Sequence, residues 1–183
     1  MKQSLTVIRF LLMAFLLVAA PARAFGKEGQ HGVAINYGYS DPSSDSSYSS
    51  DQTLNFSYEY QKTGYAAYRG TAGFMSLQGR EDISPTVGTR NSDALYMTGN
   101  LVYTPRFAIV HPLFTVGVGV YSFRTTDNVD NHHNVQLGAN FGAGLDIQLL
   151  RHFALRGEYL LHYTTGKIAN PIQALTIGVH FMY

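Results

Sequence analysis

Hydrophobic side chains recur at every second position through most of the chain, and that period of two limits its folds more than any other feature. Val33, Ile35, Tyr37 and Tyr39 alternate with Ala34, Asn36 and Gly38, and Leu54, Phe56, Tyr58 and Tyr60 alternate with Asn55, Ser57 and Glu59. Leu95, Met97, Leu101 and Tyr103 interleave with Tyr96, Thr98 and Asn100, and Phe114, Val116, Val118 and Val120 with Thr115, Gly117, Gly119 and Tyr121. The clearest segment sets Val135, Leu137, Ala139, Phe141, Ala143, Leu145 and Ile147 against Gln136, Gly138, Asn140, Gly142, Gly144, Asp146 and Gln148. Leu155, Tyr159, Leu161 and Tyr163 oppose Arg156, Glu158 and His162, and Leu175, Ile177, Val179, Phe181 and Tyr183 oppose Thr176, Gly178, His180 and Met182. Residues 65–76 carry a weaker version, with Arg69, Thr71 and Gly73 on one side and Tyr68, Ala72 and Phe74 on the other. Successive side chains of a strand point to opposite faces, so these are strands with one apolar and one polar or small face. No segment of the mature part sustains a helical period.

Two folds satisfy that pattern: a soluble sandwich that hides the apolar rows, and a membrane barrel that turns them outward. The connections favour the barrel. Ser/Asp/Asn-rich stretches at 41–51, 77–93, 124–134 and 164–172 alternate with shorter links at 61–64 and 149–152 and a longer one at 104–111, bounded by Pro105 and Pro112. Long outer loops alternating with short turns are the mark of an up-and-down membrane barrel, whose strands need about 9–11 residues each. Hydrocarbon offers no hydrogen-bond partner, so such a sheet must close on itself. The expectation is a closed antiparallel up-and-down transmembrane β-barrel of about eight strands, with a narrow lumen filled by side chains.

The start of the chain points to export. Lys2 and Arg9 precede an apolar run from Phe10 to Ala20, and Ala22-Arg23-Ala24 supplies a small-x-small cleavage site. The run is shorter than the roughly 20 residues of a spanning helix. Residues 1–24 are therefore read as a signal peptide cleaved near Ala24, and 25–183 as the barrel domain. The absence of cysteine in an exported chain leaves backbone pairing and burial to hold the fold. A formal net charge of +1 without a basic run gives no electrostatic footprint for nucleic acid.

The final strand, with Thr176, Gly178, Phe181 and the carboxyl-terminal Tyr183, resembles the insertion signal that outer-membrane barrels present to their assembly machinery. The segments PLFTVGVGVYSF (112–123), NFGAGLDIQL (140–149) and FALRGEYLLHYT (153–164) resemble the later strands of small OmpA-like and OmpX-like barrels. This resemblance implies a monomeric eight-stranded barrel with no diffusive pore. The expected location is the bacterial outer membrane, with lipid and lipopolysaccharide as partners, and no cofactor is expected. A more local resemblance links LLHYTTGKIANP (160–171) to the outer-membrane lipid A deacylases. It implies an ester hydrolase with His162 as base, Thr164 in place of the family's serine nucleophile, and Gln173 where an acid would orient the histidine. Strand parity puts His162 and Thr164 on the polar row with Arg156 and Glu158, whereas that family's site faces lipid.

Glu59, Arg69, Asp146, Arg156 and Glu158 all fall on the polar rows. A lone charge in a narrow lumen is costly, so the expectation is a structural network of ion pairs, with Asp146 and Arg156 as cross-strand neighbours. His132 and His133 with Asp127 and Asp130 carry no ligand spacing for a metal cage and read as a solvated outer loop, as does Ser43–Ser50. The favoured function is a non-enzymatic surface barrel acting through its outer loops or stabilising the envelope. Lipid A ester hydrolysis is the alternative, and a small channel is a third reading behind both.

Overall fold

The computed structural model describes residues 26–42, 48–79, 91–105, 109–126, 131–166 and 171–183. The eight principal strands are β1 (His31–Pro42), β2 (Asp51–Gln61), β3 (Ala66–Gly79), β4 (Asn91–Tyr103), β5 (Val110–Thr126), β6 (Asn131–Gln148), β7 (Phe153–Thr164) and β8 (Ile172–Met182). Each pairs antiparallel with its sequence neighbour, and β1 pairs β8 to close the cylinder. A two-residue strand, Tyr48–Ser49, adds to the far end of β3 opposite Gly79 and Gln78. No helix among the described residues is long and apolar enough to cross a membrane.

The apolar rows face outward. Ile35, Phe56, Met97, Val118, Leu137 and Ile177 are all exposed on the outer wall, Met97 to 70% and Val118 to 69%. In water such a surface would aggregate, whereas in hydrocarbon it is the solvated face. The outward row of β5 stays apolar from Val110 to Val120. At about 3.4 Å per residue and a tilt near 40°, that covers roughly 25 Å of height, the thickness of a barrel's lipid-facing band.

The outward row then turns polar along one line. Ser76 lies opposite Asp93, Asp93 opposite Arg124, and Arg124 opposite His133. Beyond this line the sheet continues, and here the structure corrects the loop boundaries expected from composition. Residues 124–126 and 131–134 are paired strand, with Thr126 opposite Asn131, and 77–79 and 91–93 likewise belong to β3 and β4. Polar composition signals contact with water, and a strand standing above the membrane meets water as a loop does. His132 and His133 accordingly sit in β6, with His133 exposed. Asp127, Asp130, residues 43–47 of the serine-rich stretch and the signal segment lie outside the described residues.

Among the described residues, the inward side chains are buried along the length of the strands. Near the chain termini and short turns, Ala67, Val102 and Leu113 form one apolar cluster and Ala154 with Met182 another. Charged and amide side chains fill the middle. Toward the opposite, loop-bearing end an apolar cap follows, made of Met75, Leu77, Ala94, Tyr96, Tyr121, Phe123 and Ile172. A lumen that is polar or small throughout, as the alternation predicts, is therefore only part of the picture. Two glycines make room for the largest rings: a Cβ on Gly73 would collide with the Tyr96 ring, and one on Gly138 with the Tyr121 ring.

Candidate functional site

The five charged residues of the polar rows meet inside the barrel. Glu59 and Arg69 are direct register partners across β2 and β3, as are Asp146 and Arg156 across β6 and β7. Arg69 donates from Nε to Glu59 Oε1 at 2.7 Å. From Nη1 it donates to both carboxylate oxygens of Glu158, at 2.7 and 2.9 Å. Arg156 grips Asp146 with two parallel bonds of 2.7 Å, Nε to Oδ1 and Nη2 to Oδ2, and also donates from Nη1 to Glu59. Thr115 adds a hydrogen bond of 2.8 Å to Glu158 Oε1.

The fork geometry of a guanidinium suits it to bind two carboxylates at once. Each of these charges is almost wholly removed from solvent, Arg156 to 1% exposure. An uncompensated ion there would cost several kcal/mol, so the pairs stand or fall together.

Register alone accounts for the neighbouring pairs. The contacts of Arg69 with Glu158 and of Arg156 with Glu59 run between strands that are not neighbours, and only barrel closure creates them. Sequence reading also left out His180, which sits on the inward row of β8. Its Nδ1 lies 3.0 Å from Asp146 Oδ2 and 2.8 Å from Arg156 Nη2. The available signal was a histidine on a polar strand row of a chain with buried carboxylates.

Above this network Asn36 donates to Asn55 Oδ1 at 2.8 Å, and Asn100 to Thr98 Oγ1 at 3.0 Å. Between these layers lies a cavity of about 10 Å³, bordered by Arg69, Asn100, Glu158 and His162. That holds about one water molecule. A hydrated ion or small solute needs a continuous path, and the apolar clusters above and below interrupt it.

The three hydrolase candidates do not share one side of the barrel wall. His162 is fully buried on the lumen side, where its Nδ1 shares a hydrogen bond of 2.8 Å with the Tyr121 hydroxyl. Its ring packs 5.3 Å from Tyr96 and edge-on to Tyr121 at 5.7 Å. Thr164 is buried on the same side. Gln173 pairs in register with Leu161 on the outer wall and accepts a hydrogen bond of 2.8 Å from the Tyr159 hydroxyl. β7 pairs with β6 without interruption from Ala154 to Thr164, so no bulge turns His162 outward. A triad requires the base bonded to both nucleophile and orienting group. Here the barrel wall separates Gln173 from the other two, and separates His162 from any lipid ester. Among the described residues no group of three or more His, Asp or Glu side chains is placed to hold a metal ion.

The residues of the carboxyl-terminal signal sit in or just beyond β8. Thr176 is buried toward the lumen, Gly178 packs against the Asn36 side chain, and Phe181 and Tyr183 lie on the outside, their rings stacked 6.0 Å apart. His31 joins them, 5.9 Å from the Tyr183 ring, in an aromatic group at the turn end.

A family model described as an outer membrane protein beta-barrel domain matches residues 10–183. Among solved structures, the outer membrane protein OprG of Pseudomonas aeruginosa superposes with a TM-score of 0.66 at 14% identity, over 86% of this chain and 97% of that one. Neisserial surface protein A superposes at 0.60 with 13% identity, over 84% and 97%. Ail, the attachment invasion locus protein of Yersinia pestis, does so at 0.59 with 17% identity, over 85% and 99%. Ail has also been solved in complex with the heparin analogue sucrose octasulfate. By sequence, no curated protein matches this chain.

Proposed function

The chain belongs to the outer membrane protein β-barrel family, and from that premise we propose that it is a non-enzymatic surface barrel that holds a rigid sheet above the bacterial outer membrane for contact with an outside partner. The observation that carries this reading is the projecting β5–β6 hairpin. β5 has 17 residues and β6 has 18, against the roughly 9–11 that a spanning strand needs. The excess lies beyond the polar line at the loop end, where Arg124 and His133 are exposed. Ordered pairing that continues into water costs conformational entropy and needs a use there. The sealed lumen argues against a channel, and the separation of His162 from Gln173 argues against ester hydrolysis.

The other parts of the reading concern biogenesis. Residues 1–24 direct export and are removed near Ala24, the assembly machinery recognises the aromatic end of β8, and the barrel works as a monomer among lipid and lipopolysaccharide. Ail's binding of a heparin analogue makes a sulfated polysaccharide the first probe for an outside partner. Gram-negative cells displaying this chain are expected to adhere to a heparin-coated surface more than cells displaying a barrel whose hairpin is cut back to the polar line. Gel mobility verifies that both barrels are folded. Equal adhesion by the two, or a changed lipid A mass profile in the expressing cells, overturns the proposal.

A further inference from the structure

We propose that the outer wall near the turn end carries a site for one phospholipid, with an acyl chain in the groove over Ala66 and its phosphate on Lys62. The wall elsewhere in this region is built from large side chains: Tyr68, Leu101, Tyr103 and Phe114 are all more than half exposed. Ala66 lies among them on the outward row of β3, directly opposite Tyr103. A methyl group among rings leaves a furrow, and the groove here has a volume of about 290 Å³ with an almost wholly apolar lining.

Lys62 stands at its mouth. The backbone N–H of Lys62 donates to the Ala66 carbonyl at 2.9 Å, which fixes the lysine beside the small residue. The same turn exposes Tyr65. Tyrosine and lysine at the end of a lipid-facing wall mark the level of the headgroups, where an ammonium meets phosphate and phenol rings sit half in hydrocarbon.

The occupant follows from charge and position together. In the lipid-facing band the available apolar groups are acyl chains, so the groove takes a chain, and a cation at headgroup depth selects a lipid whose headgroup carries phosphate. Among the described residues of the turn end, Lys27, Lys62 and Arg151 are exposed against Glu28 and the carboxylate of Tyr183, so the balance of charge there favours an anionic headgroup. The turn end is also where the carboxyl-terminal aromatic group lies, placing the site in the leaflet opposite the projecting hairpin.

Native mass spectrometry of the full barrel in detergent, titrated with phosphatidylglycerol or with a diacylglycerol of the same chains, tests this directly. The expected result is one retained phosphatidylglycerol per barrel, held about five-fold more than diacylglycerol, the ratio that one lysine near a lipid surface contributes. Lys62→Ala should abolish that preference while both lipids still bind weakly. Ala66→Phe should fill the furrow and remove retention of both. Val179→Phe, on a different part of the wall, should retain lipid as the parent does. Heat-dependent gel mobility identifies folded barrels, so lost retention is read only from folded protein. Equal retention by Ala66→Phe and the parent, or no headgroup preference in the parent, overturns the site.

Discussion

Replacing Arg156 with methionine keeps most of the side chain's volume but removes the cation that binds both Asp146 and Glu59. Asp146 loses two hydrogen bonds of 2.7 Å, and Glu59 keeps only Arg69 as a guanidinium partner. Because Asp146 is only 1% exposed, water cannot replace what is lost. Removing one partner of a buried ion pair costs about 3–5 kcal/mol, and the double engagement of Arg156 places this case toward the upper end. With a denaturant slope of about 2 kcal/mol/M, the urea midpoint should fall by roughly 1.5–2.5 M. The assay is equilibrium unfolding of the barrel in phospholipid vesicles, followed by tyrosine fluorescence and by gel mobility. Adding Asp146→Asn to the variant should recover part of the loss, since an amide is far cheaper to bury than an unpaired carboxylate. A single variant whose midpoint stays within about 0.3 M of the parent would refute the view that these charges are desolvated and mutually dependent.

Three further outcomes follow from the same geometry. In planar bilayers the purified barrel should show no steady conductance, because side chains fill the described lumen and an apolar cluster lies toward each end; a stable open level would contradict the packing described. His162→Ala should leave the lipid A mass profile of expressing cells unaltered, while lowering the unfolding midpoint through loss of the ring contacts to Tyr96 and Tyr121. Val118→Arg, on the exposed middle of β5, should destabilise the inserted barrel by about 2–4 kcal/mol, and a cost near zero would place that row in water.

The order of strands, their alternating faces and the identity of the charged residues in the lumen are all legible in the sequence. Each rests on a local rule, since a residue's parity within a strand assigns its face whatever the rest of the chain does. Asp146 and Arg156 could even be read as neighbours, because adjacent strands of a meander pair in order. The same rule placed His162 beside Glu158 rather than in lipid, as found.

Other features depend on closure. Arg69 meets Glu158, and Arg156 meets Glu59, only because the first and last strands join and bring opposite walls within side-chain reach. His180 enters the network across the neighbouring β7–β8 pair, where Gly178 lies opposite Arg156 and His180 is the next inward residue. The apolar cap of Met75, Leu77, Phe123 and Ile172 escaped the alternation because near the loop end both faces of these strands are bulky or mixed, so period alone gives no direction. Strand length was hidden as well: polar residues 124–126 and 131–134 read as loop, yet once β5 and β6 are held side by side by the membrane-embedded part, continued pairing satisfies their backbone groups. Sequence thus determined which way each side chain turns, and the closed tertiary structure decided which of them touch.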